Sequence, residues 1–169
     1  DLVVLGPGSL FTSIVPNLQV PGIARALAGT HAVRVFVCPK IDSLGETQGM
    51  SVADHVDQLL SLASPPLLDA VLVHHADAPE FVFPYAPGPA YRTSALAGDV
   101  VTSRDIDSAK RAPFGPIQAG EREISRIEQS VPVVLVRDFT GSESPAVHDV
   151  QALASALEEV LDQCRSARR

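Results

Sequence analysis

The sequence predicts an α/β domain on a doubly wound, mostly parallel sheet, and three observations carry that expectation. Four short runs, Leu2–Leu5, Val33–Val37, 70–73 and 133–136, are apolar and rich in β-branched residues. None alternates polar with apolar positions, so each reads as a strand buried on both faces, the condition of a parallel sheet. Segments with helical spacing fall between and after these runs, and strand–helix alternation marks this architecture.

The elements follow in order. Leu2–Leu5 runs straight into Gly6, Pro7, Gly8 and Ser9, a turn off the end of the first strand. Residues 21–28 form a short helix with Pro21 at its first position, where the missing N–H costs nothing. Beyond Val33–Val37, Ser51 caps a stronger helix in which Val52, Val56, Leu59, Leu60 and Ala63 share one face. Asp54 stands three residues after Ser51, the spacing of a capping box. The last helix is expected to be the longest, with Ser144 as cap and Pro145 at its first position. Val150, Leu153, Ala154, Leu157, Val160 and Leu161 make its buried stripe. Residues 78–123 break the pattern. Pro79, Pro84, Pro87, Pro89, Pro113 and Pro116 exclude long regular elements, leaving extended loops, short turns and one strand-like run at 99–102. Residues 1–169 read as a single domain with this proline-rich region inside it.

Composition sets the outer bounds. The chain has 169 residues, 46% of them hydrophobic and 20% charged, which suits one globular core. Its net charge of −7, with Lys40 and Lys110 as the two lysines, leaves no electrostatic footprint for nucleic acid. The basic residues at 165–169 read as cations at a helix end. No apolar run reaches the roughly 18–20 residues of a membrane span, and no basic lead precedes an apolar stretch at the start. A cytoplasmic protein with neither membrane nor nucleic-acid partner is expected. Because Asp1 opens directly into a strand, the chain is also expected to be part of something longer. Cys38 and Cys164 lack any CxxC spacing, so no disulfide framework or zinc site is expected, and Cys38 reads as a small buried residue.

Two loops could carry chemistry. Glycines after the first strand let a ligand approach the backbone at Gly6 and Gly8. The hydroxyls of Ser9, Thr12 and Ser13, with free N–H groups at a helix start, could cradle an anion. The same residues also fit a tight, hydroxyl-capped turn, and they match neither a Walker A loop nor GxGxxG. The second loop, 42–51, follows the second strand and holds Gly45, Glu46 and Thr47. In a parallel sheet both loops leave the carboxyl edge, where open α/β sheets bind ligands. Glu46 and Asp54 could orient hydroxyls or hold a metal, although Asp54 equally fits the capping box. His55, His74, His75 and His148 are scattered, with Asp77 near the middle pair, and no metal site is expected from them. The GPGS run is not a nucleophile elbow, so hydrolase chemistry is not expected.

The passage DLVVLGPGSLFTSIVPNLQVPGIARAL, from Asp1 to Leu27, resembles a long signature of gluconeogenesis-factor (YvcK-like) proteins. These are relatives of 2-phospho-L-lactate transferase (CofD). VFVC from Val35, followed by GETQGMSVADHV from Gly45, is similar to the second signature of the same family, in the same order and at matching separation. The two passages cover about a third of the chain. The resemblance implies a Rossmann-like core and a phosphorylated ligand at the carboxyl edge, with an N-terminal half, begun by a GGGTG-type loop, lying outside this sequence.

It also implies two functional classes. One is a UDP-sugar-binding regulator of carbon use and cell-wall synthesis. The other is a transferase moving a phospholactyl group from a guanylylated donor to a deazaflavin precursor with Mg²⁺. The signatures sit closer to the regulator, with the loop from Gly6 to Ser13 on the phosphates and Gly45, Glu46 and Thr47 closing the pocket. For the transferase, Glu46 would help hold Mg²⁺. A degenerate fragment serving as an interaction module is the third reading. The apolar face left by a missing half predicts association with another chain, a homo-oligomer included. Tyr85 matches a family tyrosine that stacks on a base, or fills a surface groove. Val147, His148 and Asp149 match a family Arg-His-Asp, so Val147 forgoes a bidentate phosphate contact. The run from Pro39 to Leu44 departs from the usual Asn-Met-Thr-Gln-Pro.

Overall fold

The computed structural model describes residues 1–43, 45–62, 67–75, 117, 119–141 and 147–167. Strand β1 (Leu2–Leu5) leads through a five-residue π-helical turn, Leu10–Ile14, into α1 (Val15–Leu18) and α2 (Pro21–Gly29). Then come β2 (Val33–Val37), α3 (Val52–Leu60), β3 (Ala70–His74), α4 (Glu121–Glu128), β4 (Val133–Arg137) and α5 (Val150–Ala167). The four strands form one sheet in the order β1-β2-β3-β4, every neighbouring pair parallel. The fold class read from the sequence is therefore the observed one.

Strand order explains the layers. Right-handed crossovers that always advance in one direction put their connecting helices on one face. On that face Leu10, Ile14, Leu18, Val52, Val56, Leu59 and Ile127 pack with Phe36, Val71 and Val73. On the other face Val33, Val35, Val37, Ala70, Leu72 and Leu135 meet Ala156, Val160 and Cys164 of α5. The central strands are thus buried on both sides, which is why their sequences do not alternate.

Local chemistry sets most helix ends. Ser51 and Asp54 form the expected capping box of α3, and Pro21 stands in the first turn of α2. Arg126 of α4 reaches Asp54 and Asp57 of α3, joining two helices at their exposed rims. Helix α4 begins at Glu121 after Gly120, so regular structure starts three residues inside the stretch read as loops. Its charged face, Glu121, Arg122 and Glu123, hid the apolar pair Ile124 and Ile127 from a periodicity search.

The last helix corrects an expectation. It starts at Val150, not at Pro145. The Asp149 carboxylate accepts the N–H of Ala152 at 2.8 Å and acts as the cap. Before it, His148 pairs with Thr140 in an antiparallel bridge, and the Gly141 N–H donates to Val147 O at 3.1 Å. That pairing, with the Asp149 N–H donating to Phe139 O at 3.0 Å, ties 147–149 to 139–141, so the helix starts only after them. Ser144 and Pro145 lie outside the described residues, as do Ala63, Asp77 and Tyr85.

Candidate functional site

The loops after β1 and β2 and the segment leading into α5 meet around a cavity of about 520 Å³, lined in part by Gly8, Ser9, Lys40, Asp42, Thr47 and His148. The volume falls within the roughly 300–1,000 Å³ usual for small-molecule sites. The cavity therefore gathers residues from both loops singled out in the sequence, Val147 and His148 of the family Arg-His-Asp match, and Lys40, which the sequence reading did not name as a site residue.

Gly6 turns the chain at the end of β1. Its φ is +87°, and a Cβ placed there would lie 2.7 Å from Val37 O of the neighbouring strand. The Gly6–Pro7 peptide is cis. Ser9 then caps the π-helical turn, accepting the Thr12 N–H at 3.2 Å. Ser13 is exposed, and its carbonyl accepts from Asn17 Nδ2 at 2.7 Å.

The anion on this loop is the chain's own. Oε1 of Glu46 accepts the Phe11 N–H at 2.7 Å, the Thr12 N–H at 3.1 Å and the Ser9 hydroxyl. A carboxylate on the free N–H groups of a helical first turn satisfies donors that would otherwise lack partners. It also ties the two signature passages together. Glu46→Ala is expected to cost about 1–3 kcal/mol by orphaning these donors, with Glu46→Gln costing less. Urea unfolding of both variants checks this, and an unchanged midpoint for the Ala variant would show that the contact contributes nothing.

The rest of the 42–51 loop is held from within. Thr47 is buried, and its hydroxyl accepts the Ser43 N–H at 2.9 Å. Gly45 and Gly49 have φ of +72° and +79°, and the Gly49 N–H donates to the Asp42 carboxylate at 3.2 Å. Thr47 thus shapes the loop with its oxygen, and Gly45 permits its turn. His55 is wholly buried below, its Nδ1 2.8 Å from Ser51 O and its Nε2 without a partner.

Behind the cavity, Phe139, whose carbonyl accepts from Lys40, is fully buried with its ring beside those of His74 and His148. His74 Nδ1 accepts the Phe139 N–H at 3.0 Å, so the Asp138 carboxylate 3.8 Å away faces a neutral ring rather than an ion-pair partner. Burial pushes His148 down to about 4, helped by the Lys40 charge and opposed by a hydrogen bond to the Cys38 backbone. Burial also lowers His55 and His74, with Lys40 adding to the effect at His74. The unfolded rings titrate near pH 6.5, above their folded values. Stability is therefore full above that pH and is lost as pH falls toward 4, where the unfolded chain binds more protons. His148 alone is expected to contribute roughly 1–2 kcal/mol of that loss, after allowance for solvent screening of a half-buried ring. Urea midpoints at pH 7.5 and 5.0 test it, since the difference should shrink in His148→Gln.

An α/β protein with a ligand-sized cavity at the carboxyl edge of a parallel sheet is the class that these features define. The chain belongs to the 2-phospho-L-lactate transferase CofD family, whose profile matches residues 1–96. A Streptococcus pyogenes protein provisionally named gluconeogenesis factor is 49% identical over 125 residues, 74% of this chain and 34% of the relative. The gluconeogenesis factor of Halalkalibacterium halodurans is 40% identical over 74 residues, 44% of this chain and 23% of its own length. A crystal structure of a UPF0052-family protein from Bacillus halodurans aligns with a TM-score of 0.65 at 23% identity, covering 94% of this chain and 43% of that one. This structural likeness bears on the fold. The chain spans about a third or less of the length of these curated relatives.

The family's transferase reading calls for Mg²⁺, with Glu46 as the carboxylate expected to help hold it. Among the described residues no three His, Cys, Asp or Glu side chains converge. The Glu46 carboxylate expected to hold the metal is committed to Ser9, Phe11 and Thr12. No helix among the described residues is long and apolar enough to cross a membrane.

Proposed function

We propose that this protein binds a nucleotide sugar of the UDP-sugar class in the carboxyl-edge cavity. It acts as a cytoplasmic regulator of carbon metabolism or cell-wall synthesis rather than as a catalyst. The observation that carries the reading is the cavity itself. Gly8 and Ser9 of the first signature face it together with Thr47 of the second, at a volume suited to a small molecule. Relatives named gluconeogenesis factor support the regulatory class. Calorimetric titration of UDP-N-acetylglucosamine tests it, with this chain and with one extended to the length of the relatives. Saturable heat without product supports the reading, and no heat from either folded protein rejects it.

A second reading rests on the family profile, which is that of a 2-phospho-L-lactate transferase. It expects metal-dependent turnover of a deazaflavin acceptor, and a turnover assay with and without Mg²⁺ separates the two.

Association with another polypeptide, a second copy included, is part of the same proposal. Among the described residues strand β1 pairs on one side only, with β2, and Val4 on it is 40% exposed. An open edge with apolar exposure invites strand pairing or burial. Sedimentation velocity is expected to show concentration-dependent association that Val4→Lys weakens. A monomer at every concentration would reject it.

A further inference from the structure

Lys40 is a cation in an unusual place. It follows β2, is 5% exposed and lines the cavity. Its Nζ donates to Phe139 O at 2.9 Å and to Val147 O at 2.5 Å. An ammonium has three protons, and the third has no partner among the described residues. No carboxylate among them lies within ion-pair distance of Nζ. Asp138 and Asp149 act on it only at longer range. Buried charges are costly unless paired, and two neutral carbonyls do not neutralise one. The surrounding rings of His74 and His148 are held neutral, so they add no competing charge.

The first loop, whose Ser9 also lines the cavity, has the converse property. The amide and hydroxyl donors of the first loop, which would suit an anion, are already occupied by Glu46. The Asp42 carboxylate is turned onto its own loop by the Gly49 N–H. The first loop thus has its anion, and Lys40 has no carboxylate in contact among the described residues. We propose that Lys40 is the anchor for the phosphate or diphosphate group of the ligand, in place of the glycine–serine loop. The inference rests on the reading of the cavity as a site for a phosphorylated compound, and it names which residue meets the charge. Lys40 also ties the wall from β4 to α5 to the end of β2 through its two carbonyl bonds. An anion bound there meets a charge that the fold already holds in position.

The test uses this 169-residue chain, lysine labelled with ¹³C at Cε, titrated with inorganic diphosphate. With two lysines in the chain, Lys40 and Lys110, Lys110→Arg assigns the signals. The Lys40 signal should move saturably. Lys40→Met should weaken diphosphate binding by about tenfold to a hundredfold, as loss of a charge-assisted hydrogen bond does, and Lys40→Arg should restore part of it. If Lys40→Met fails to fold, the wild-type titration and Lys40→Arg still decide. An unmoved Lys40 signal at saturation overturns the proposal. So does a Glu46→Ala variant that binds diphosphate about tenfold more tightly while Lys40→Arg has no effect, because the anion would then sit on the first loop. A Lys40 signal that responds to diphosphate but not to UDP-N-acetylglucosamine supports the anchor and rejects the nucleotide sugar, so the two failures are distinguishable.

Discussion

Gly6→Ala is expected to cost about 2–4 kcal/mol and to lower the thermal midpoint by about 6–12 °C. Two effects combine at this one position. The backbone stands at φ +87°, where a side chain is strained, and the new Cβ would lie 2.7 Å from Val37 O. That oxygen belongs to β2, so it cannot swing aside as a flexible side chain would. Relief requires β1 and β2 to part at their carboxyl ends, the edge that carries Ser9 on one strand's loop and Lys40 on the other's. Ligand binding should therefore weaken along with stability. Differential scanning calorimetry of the variant checks it, and a midpoint within about 2 °C of wild type would show that the strands adjust freely. Gly8→Ala serves as the control, since a Cβ there meets nothing closer than Ser13 Cβ at 3.7 Å.

Asp69→Ala should be the other severe substitution, at roughly 3–5 kcal/mol, because it strips a largely buried Arg34 of its counterion. Asp69 accepts the Arg34 backbone N–H at 2.8 Å, Nε at 2.9 Å and NH2 at 3.1 Å. Side-chain exposure is 14% for Arg34 and 17% for Asp69. The bond to the Asp69 side chain raises the Arg34 pKa further, so the guanidinium cannot escape by losing its proton. The pair also sets register, since the Asp69 N–H donates to Arg34 O at 2.9 Å just before β3 begins. A double variant, Arg34→Met with Asp69→Asn, is expected to recover a large part of the loss. Urea unfolding of the full cycle reads the coupling, and simple additivity of the two single variants would sink the claim.

How much of this was legible beforehand differs from element to element. The continuous apolar runs 33–37 and 70–73 announced a sheet covered on both faces, because only a strand without a solvent side can omit polar residues. The box of Ser51 and Asp54 is local chemistry at a fixed spacing, and it formed as read. Helix α4 was missed because eight residues, five of them charged, carry too short an apolar stripe to announce a helix. The start of α5 was misplaced because a Ser-Pro pair is a general N-terminus signal. A nonlocal bridge from Thr140 to His148 decided the matter instead.

The candidate site shows the same division. Sequence alone determined that Gly6, Gly8 and Ser9 would follow one strand and that Gly45, Glu46 and Thr47 would follow the next. A parallel sheet then brings both loops to one edge. Only the tertiary structure decided what each group does there. Glu46 sits 37 positions from Ser9 along the chain, yet its carboxylate fills the donors expected to hold a phosphate. Lys40 meets carbonyls 99 and 107 positions away. Spacing along a chain governs which residues share a loop or a helix face. Which charge is neutralised by which depends on distances through space, and those exist only once the sheet has closed its edge.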